Sequence, residues 1–257
     1  MTQKIMDKHL FEFFKTISEP HRPYERDNLQ TSLIERTADA FARNTHLCMY
    51  ISNAQTQKFF YASGKFERLS GLTAEKVKEM GFRFYLDFVP EEEHRILYTA
   101  FKEGLHFFCN QLSSERTEYN ISCDIHLLNG RKKLLVHQTA TPILIGRDGM
   151  PLFSLCIMKH SVMHEIGNIT VKRKGHRAFY KYDMDKGEWI KDSGIILNET
   201  ERGILTLSAQ GHKMEDIANK LCKSLDTIKS AKRRLFLKMH VSNLQEAVAY
   251  AEYYDLL

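Results

Sequence analysis

The chain has 257 residues, of which 43% are hydrophobic and 27% are charged, and its net charge is +5. These values are ordinary for a globular protein of one large or two modest domains, and the mild positive charge permits nucleic-acid binding without requiring it. The five cysteines are scattered and include no Cys-x-x-Cys pair, so they fit reduced thiols and give no zinc-site spacing. The start, MTQKIMDKHLFEFFKT, carries charges inside its apolar stretch, and no run approaches the ~18 apolar residues of a membrane span. We therefore expect a cytoplasmic protein with neither signal peptide nor membrane anchor.

Two amphipathic helices are predicted near the start, over residues 5–18 and 28–44, with the break PHRPYER between them. In the second helix, five residues share one face at helical spacing. These are Leu29, Leu33, Thr37, Ala40 and Phe41. This stripe exceeds what capping a small sheet requires, so we expect residues 1–45 to flank the next domain and to help form a homodimer. The closing segment AVAYAEYYDLL supports the same expectation.

The pattern changes at residue 46, where HLCMYIS and KFFYAS predict two short strands. Short helices and a longer one follow, over GKFERLSG, LTAEKVKEMG and PEEEHRILYTAFKEGL. Three strands come next, over TEYNISCDIHLL, KKLLVHQTATPILI and PLFSLCIMKHS, and their links contain glycine as hairpin loops do. Residues 161–196 hold the basic segment VKRKGHR and a predicted small hairpin, AFYKYDMDKGEWI, and we interpret them as a linker.

The order of elements over residues 46–160 resembles a PAS domain. The stretches YASGKFERLSGLTAEKVKEMG and FVPEEEHRIL are similar to two motifs of that family, although Ser63 replaces the usual Asn. The matching residues are Phe66, Leu69, Gly71, Leu72, Glu75, Val77, Phe88, Pro90 and Glu92. The resemblance implies an antiparallel sheet with helices over one face, enclosing a pocket that holds a small-molecule ligand or serving only for dimerisation.

The sequence assigns no cofactor-binding residue in this domain. The Asn-Cys-Arg-Phe-Leu-Gln motif of flavin adducts is absent, and we expect Cys109, in FFCNQL, to be a buried apolar thiol. Haem would need an axial ligand, for which His94, His106, His126 and His137 are candidates. A lone histidine is more often a surface or satisfied core residue, so we predict no cofactor. Haem or flavin remains an alternative that a coloured purified protein would reveal.

Helical periodicity returns at Asn198 and continues to the end of the chain. Asn198 and Glu201 fit a capping box that begins the first of four helices, and Gly211 suits its end. MEDIANKL predicts a short second helix, and Ser224 is the expected N-cap of a third helix that extends to about Met239. A short helix, the tight link CKS and a basic third helix are typical of a helix-turn-helix.

The third helix sorts into two faces at 100° per residue. Its apolar side consists of Ile228, Ala231, Leu235 and Met239. Its outer side consists of Lys229, Ser230, Arg233 and Arg234, with Thr227 at the amino end. Such a face suits a DNA groove, because cations attract phosphates and long donors reach base edges. Periodicity alone leaves a solvated face of an all-helical interaction module equally open.

Residues 197–250 resemble the LuxR-type helix-turn-helix domain, whose pattern runs approximately L-T-x-R-E, G, E-I-A-x-x-L, S-x-x-T-V-K, K-L-x-V and A-V. The matching residues are Leu197, Glu201, Leu205, Leu207, Gly211, Ile217, Ala218, Leu221, Ser224, Thr227, Ile228, Lys229, Lys238, Val241, Ala247 and Val248. The resemblance implies that Lys229, Ser230 and Arg233 meet base edges. Thr227 and Arg234 would meet phosphate. Departures at Thr200, Lys213, Asp216, Lys223, Ala231 and Arg234 leave the operator sequence open.

The sequence contains no P-loop, GxSxG or HExxH motif, so we predict no enzyme. We expect an α+β protein in which a PAS-like antiparallel sheet with flanking helices precedes an all-α four-helix LuxR-type domain. The predicted divisions are 1–45, 46–160, 161–196 and 197–257. The predicted function is that of a one-component transcription regulator that binds double-stranded DNA as a homodimer. The alternative is a PAS-based protein-interaction adaptor without sequence-specific DNA binding.

Overall fold

The computed structural model describes residues 8–10, 12–13, 28–45, 47–254 and 256–257. The chain divides into two compact units, Met1–Asp192 and Ser193–Leu257. Most of the helix predicted over residues 5–18 lies outside the described residues; residues 8–10 and 12–13 are helical. Helix α1 spans Asn28–Asn44.

The first unit is built on one antiparallel sheet with the strand order β2-β1-β5-β4-β3-β6-β7-β8. The strands are β1 (Cys48–Asn53), β2 (Lys58–Ala62), β3 (Tyr119–Asn129), β4 (Lys132–Ile145), β5 (Pro151–His160), β6 (Gly167–Arg173), β7 (Phe179–Asp183) and β8 (Glu188–Asp192). The five strands predicted for the PAS-like domain are β1 to β5, and they are adjacent in the sheet. The predicted α+β fold of this unit is confirmed.

Four helices cover one face of the sheet: α2 (Phe66–Ser70), α3 (Ala74–Met80), α4 (Arg83–Phe88) and α5 (His94–Cys109). Side chains that alternate along the strands point at these helices, as the period of two requires. They form a core in which Tyr50, Phe66, Phe84, Leu97 and Ile125 are fully buried. The aromatic residues of α4 and β2 therefore hold the short helices on the sheet.

Helix α1 packs on the opposite face of the sheet, over β1, β2 and β5. Ile34, Ala38 and Ala42 make this contact in a separate apolar cluster. Two residues of the predicted apolar stripe do not pack on the sheet: Leu33 and Phe41 are 65% and 50% exposed. The helix thus has a packed apolar side and a second, exposed apolar side.

Residues 161–196, interpreted as a linker, contribute β6, β7 and β8 to the sheet. Strand β6 pairs with β3, and Ile169 and Val171 alternate inward from it. β7 and β8 form a hairpin whose turn contains the predicted DKG residues. The ring of Trp189 packs between two aromatic rings: its centre lies 5.0 Å from that of Tyr182 on β7 and 5.3 Å from that of Phe107 on α5. These contacts make the segment up to Asp192 part of the first unit.

The second unit consists of α6 (Glu199–Ala209), α7 (Met214–Lys220), α8 (Leu225–Met239) and α9 (Leu244–Tyr253). Their apolar sides form one core that includes Ile204, Ile217, Leu235 and Ala247. Gly203 allows α6 and α7 to approach closely, because a Cβ atom there would lie 2.8 Å from Leu221 Cδ2. Within the described part of the chain, no helix is long and apolar enough to cross a membrane.

Candidate functional site

The first unit contains an apolar cavity of about 120 Å³ between α5 and the sheet. Leu97, Phe101 and Phe108 form its helical wall, and Ile121 and Ala140 form part of its sheet wall. The dimensions and lining suit a small, mostly apolar molecule. The sequence predicted a pocket here only through the PAS resemblance and named none of these residues.

A chain of polar groups connects two sheet residues that line the cavity, Gln138 and Tyr50, through Tyr85 on α4. Gln138 Nε2 donates to the Tyr85 hydroxyl at 2.7 Å, and the Tyr85 and Tyr50 hydroxyls are bonded to each other. Gln138 Oε1 is buried and has no hydrogen-bond partner among the residues that the structure describes. Burial raises the pKa of both tyrosines well above its usual value, so the phenols stay neutral. An occupant with an N–H or O–H group would find an acceptor at Gln138 Oε1.

The histidines considered as haem ligands lie elsewhere: no histidine is among the described residues that line the cavity. His94 Nε2 bonds the Val89 carbonyl oxygen at 3.0 Å, and His126 Nδ1 lies 2.6 Å from Glu93 Oε1. His137 Nδ1 lies 3.1 Å from Asp124 Oδ1 on the opposite face of the sheet, where burial lowers the pKa of the imidazole. His106 is exposed at the end of α5.

The expectation that Cys109 is buried was wrong. Its thiol is exposed near the end of α5, and Sγ lies 3.5 Å from Met150 Sδ. The thiols that face the cavity belong to Cys123 and Cys156. Burial raises the pKa of Cys156 to about 11, so this thiol is protonated and unreactive at neutral pH.

In the second unit, the link between α7 and α8 fixes the start of α8. Cys222 adopts a positive φ of 52°, and the Lys223 N–H donates to the Ala218 carbonyl oxygen at 2.9 Å. Ser224 then caps α8: its Oγ accepts from the Thr227 N–H at 3.2 Å. Lys213, at the N-cap of α7, makes no side-chain cap bond. The tight turn and the Ser cap together set the direction in which α8 leaves α7.

Helix α8 has the two faces that its sequence predicts. Ile228, Ala231, Leu235 and Met239 are at most 2% exposed and pack in the core of the unit. The five candidate DNA-binding residues are all exposed: Thr227, Lys229, Ser230, Arg233 and Arg234. Leu237, one turn after Arg233, is 77% exposed on the same side. The helix therefore offers a long basic surface with an apolar residue near its carboxyl end.

Two other cations of α8 are engaged within the unit. Lys238 Nζ lies 2.6 Å from Glu201 Oε2 and 2.8 Å from the Ile196 carbonyl oxygen. Burial would raise the pKa of Glu201, but Lys238 and the Asn198 N–H outweigh it and hold the pKa below its usual value. Lys232 Nζ lies 5.7 Å from the centre of the Phe236 ring. The capping box at Asn198 and Glu201 is present, and Lys238 joins it to the end of α8.

The comparison with family models decides the class of this unit. Residues 196–251 match the model described as bacterial regulatory proteins, luxR family. The second unit is a LuxR-type helix-turn-helix domain. The match covers α6, α7, the link that follows it, α8 and most of α9, and it confirms the predicted resemblance.

Among solved structures, the phage VqmA–DPO complex is similar at 20% identity and a TM-score of 0.35, covering 89% of this chain and 94% of that chain. A Vibrio cholerae VqmA dimer, described as a LuxR-type receptor without its target DNA, gives 14% identity, 87% and 86% coverage, and a TM-score of 0.31. The N-terminal domain of a Marinobacter aquaeolei diguanylate cyclase with a PAS/PAC sensor gives 15% identity, 44% and 94% coverage, and a TM-score of 0.32. No curated protein sequence matches the chain significantly.

The sequence correctly predicted which residues of α8 face outward. The contacts that these residues make with DNA stay predictions. Sequence reasoning named Lys238 as a match to the LuxR-type pattern and missed its bond to Glu201. That partner lies 37 positions earlier in the chain, and no local pattern links the two. It also missed Gln138, whose only signal is an amide at an inward position of an alternating strand.

Proposed function

We propose that the chain is a one-component transcription regulator that binds operator DNA through α8 of its LuxR-type unit. The protein acts without catalysis, works in the cytoplasm and binds DNA as a homodimer. An occupant of the cavity in the first unit shifts the population between states that differ in DNA affinity. The ligand class that the cavity favours is a small, uncharged, mostly apolar molecule with a hydrogen-bond donor.

One observation carries the DNA-binding proposal: α8 exposes Lys229, Arg233 and Arg234 while its apolar stripe is fully packed. A helix of this kind fits the major groove, where its first turns meet base edges. Lys229 and Arg233 are one helical turn apart, so both can face the same groove. We assign Lys229, Ser230 and Arg233 to base edges, and Thr227 and Arg234 to phosphates.

A salt titration of duplex binding tests this proposal with the full-length protein. Selection from random duplex DNA first supplies the preferred site. The variant Lys229→Gln/Arg233→Gln/Arg234→Gln should bind more weakly, and its log–log salt slope should flatten by about 0.9 per lost phosphate contact. The helix should persist, because Gln is nearly as good a helix former as Lys or Arg.

A matched control removes the same charge from the first unit: Lys58→Gln/Arg131→Gln/Lys132→Gln, all at exposed positions. This variant should keep both the affinity and the slope of the wild type. If both triple variants bind alike, α8 is only a solvated face. The absence of salt-dependent duplex binding by the wild type would favour the adaptor, whose helical tail binds another protein.

A further inference from the structure

The turn between β6 and β7 carries the part of the basic segment VKRKGHR that the fold leaves at the surface. The earlier cations of the segment are engaged inside the first unit. Arg173 Nε and Nη2 lie 2.8 Å and 3.0 Å from carboxylate oxygens of Glu118 and Glu115. Lys172 Nζ lies 5.6 Å from the centre of the Phe179 ring. Their charges are therefore partly used in holding the sheet together.

Beyond Arg173, Lys174, His176 and Arg177 are exposed. Within the described part of the chain, neither Lys174 nor Arg177 has a carboxylate within salt-bridge distance. The backbone nevertheless fixes the turn, because the Lys174 N–H donates to the Glu118 carbonyl oxygen at 2.8 Å. Gly175 supplies the positive φ of 73° that the turn needs. Two permanent positive charges thus stand on a defined turn.

The strand topology places this turn at the end of the strands from which the chain continues into the LuxR-type unit. β7 is antiparallel to both β6 and β8, and Phe179 pairs with Lys172 on one side and Asp192 on the other. The turn after β6 and the end of β8 therefore lie at the same end of the strands, about two strand spacings or ~10 Å apart. Asp192 is the last residue before the second unit.

We propose that Lys174 and Arg177 bind phosphates of the DNA that flanks the site occupied by α8. This inference rests on the proposed function, because it needs DNA held by the LuxR-type unit. Only residues 193–198 separate Asp192 from α6, a link of at most ~20 Å when extended. A short tether gives the bound duplex a high effective concentration near this end of the strands. A duplex offers a phosphate charge about every 1.7 Å. The partner that fits two adjacent cations here is the same polyanion.

Full-length Lys174→Gln/Arg177→Gln tests the inference against a matched control, Arg131→Gln/Lys132→Gln. The control removes two exposed cations from the β3–β4 turn. That turn lies at the opposite end of the strands, because Tyr119, at the start of β3, pairs with Arg173 at the end of β6. Each protein is titrated with the selected site in two duplexes, one trimmed to the site and one with about one helical turn of DNA added on each side.

On the flanked duplex, the salt slope of the turn variant should fall by about 1.8 per protomer, and its affinity near 0.15 M salt should fall roughly 30-fold for each protomer bound. On the trimmed duplex it should match the wild type, and the control should match the wild type on both. Because all four substituted side chains are exposed, unchanged circular dichroism and melting are expected.

Three outcomes would overturn the inference. The turn variant could bind the flanked duplex as the wild type does. It could weaken together with the control, which would mean that only net charge matters. It could also lose the same affinity on the trimmed duplex, which would place the contact inside the site. All three leave the proposed function standing if the wild type keeps its steep salt dependence and the α8 triple variant binds more weakly with a flatter slope.

Discussion

Replacing Lys238 by Gln should destabilise the LuxR-type unit while leaving its ionic contact with DNA unchanged. In the wild type the ammonium bonds Glu201 Oε2 and the Ile196 carbonyl oxygen, and the Glu201 side chain is only 4% exposed. Gln is shorter and uncharged. It would leave the Glu201 carboxylate nearly buried, with the Asn198 N–H at 3.0 Å as its remaining polar contact.

The magnitude follows from the bond that is lost. A hydrogen bond to a charged group contributes about 1.5–3 kcal/mol. Solvent screens this one in part, because the Lys238 side chain is 37% exposed. We therefore expect a loss of about 1–2 kcal/mol, which corresponds to roughly 5–30-fold faster exchange of amides that open with the unit.

Hydrogen exchange on the full-length protein measures this locally. Amides of α6 and α8 should exchange faster in Lys238→Gln, while amides of the eight-stranded sheet serve as an internal reference. Lys229→Gln is the matched control, because Lys229 is an exposed cation on the same helix. That control should leave exchange unchanged and weaken DNA binding, whereas Lys238→Gln should speed exchange and leave the salt slope of DNA binding unchanged.

The pH dependence provides a second check. Because the folded-state pKa of Glu201 is lowered, the ion pair stabilises the fold above the unfolded-state pKa of about 4.3. This stabilisation is lost as the pH falls through the folded-state pKa. The wild type and Lys238→Gln should therefore converge in acid. Equal exchange of the two proteins at neutral pH would refute the assigned role of Lys238.

Three further predictions concern base reading, assembly and the cavity. Arg233→Ala should cost about 1–3 kcal/mol on the preferred site and relax discrimination at one base pair, whereas equal losses on specific and random DNA would reassign Arg233 to phosphate. Leu33→Lys/Phe41→Lys should convert the homodimer to a monomer in light scattering, and an unchanged mass would remove this face of α1 from the interface. Gly104→Ala should lower the free energy of unfolding by less than about 1 kcal/mol, because the added Cβ would lie 2.2 Å from Ile121 Cδ1, the flexible end of a side chain that lines the cavity and can turn aside. A larger loss in a denaturant titration would mean that Ile121 is held rigidly.

Local periodicity was enough to predict α8, because both of its faces repeat within one helix. The apolar stripe of Ile228, Ala231, Leu235 and Met239 and the exposed cations occupy the predicted sides. It was also enough for the order of β1 to β5. It was not enough for β6, since VKRKGHR reads as a charged loop until β3 pairs with Val171, Lys172 and Arg173.

Other features depend on contacts between distant parts of the chain. Whether α1 buries Leu33 or Ile34 depends on which side meets the sheet, and both sides are apolar enough to do so. The bond between Lys238 and Glu201 and the chain from Gln138 to Tyr50 each need the tertiary fold. Sequence reasoning therefore found most of the helices and strands and the outward residues of α8, but not β6 or the polar contacts that stabilise each unit.

The only tryptophan of the chain, Trp189, gives the protein a built-in spectroscopic reporter. It sits on β8, three positions before the last residue of the first unit, between the rings of Phe107 and Tyr182. Selectively excited indole emission therefore follows the packing of the sheet's last strand against α5 and is blind to the tyrosines of the LuxR-type unit. Occupation of the cavity, whose wall α5 also forms, can be followed by this emission without attaching a dye.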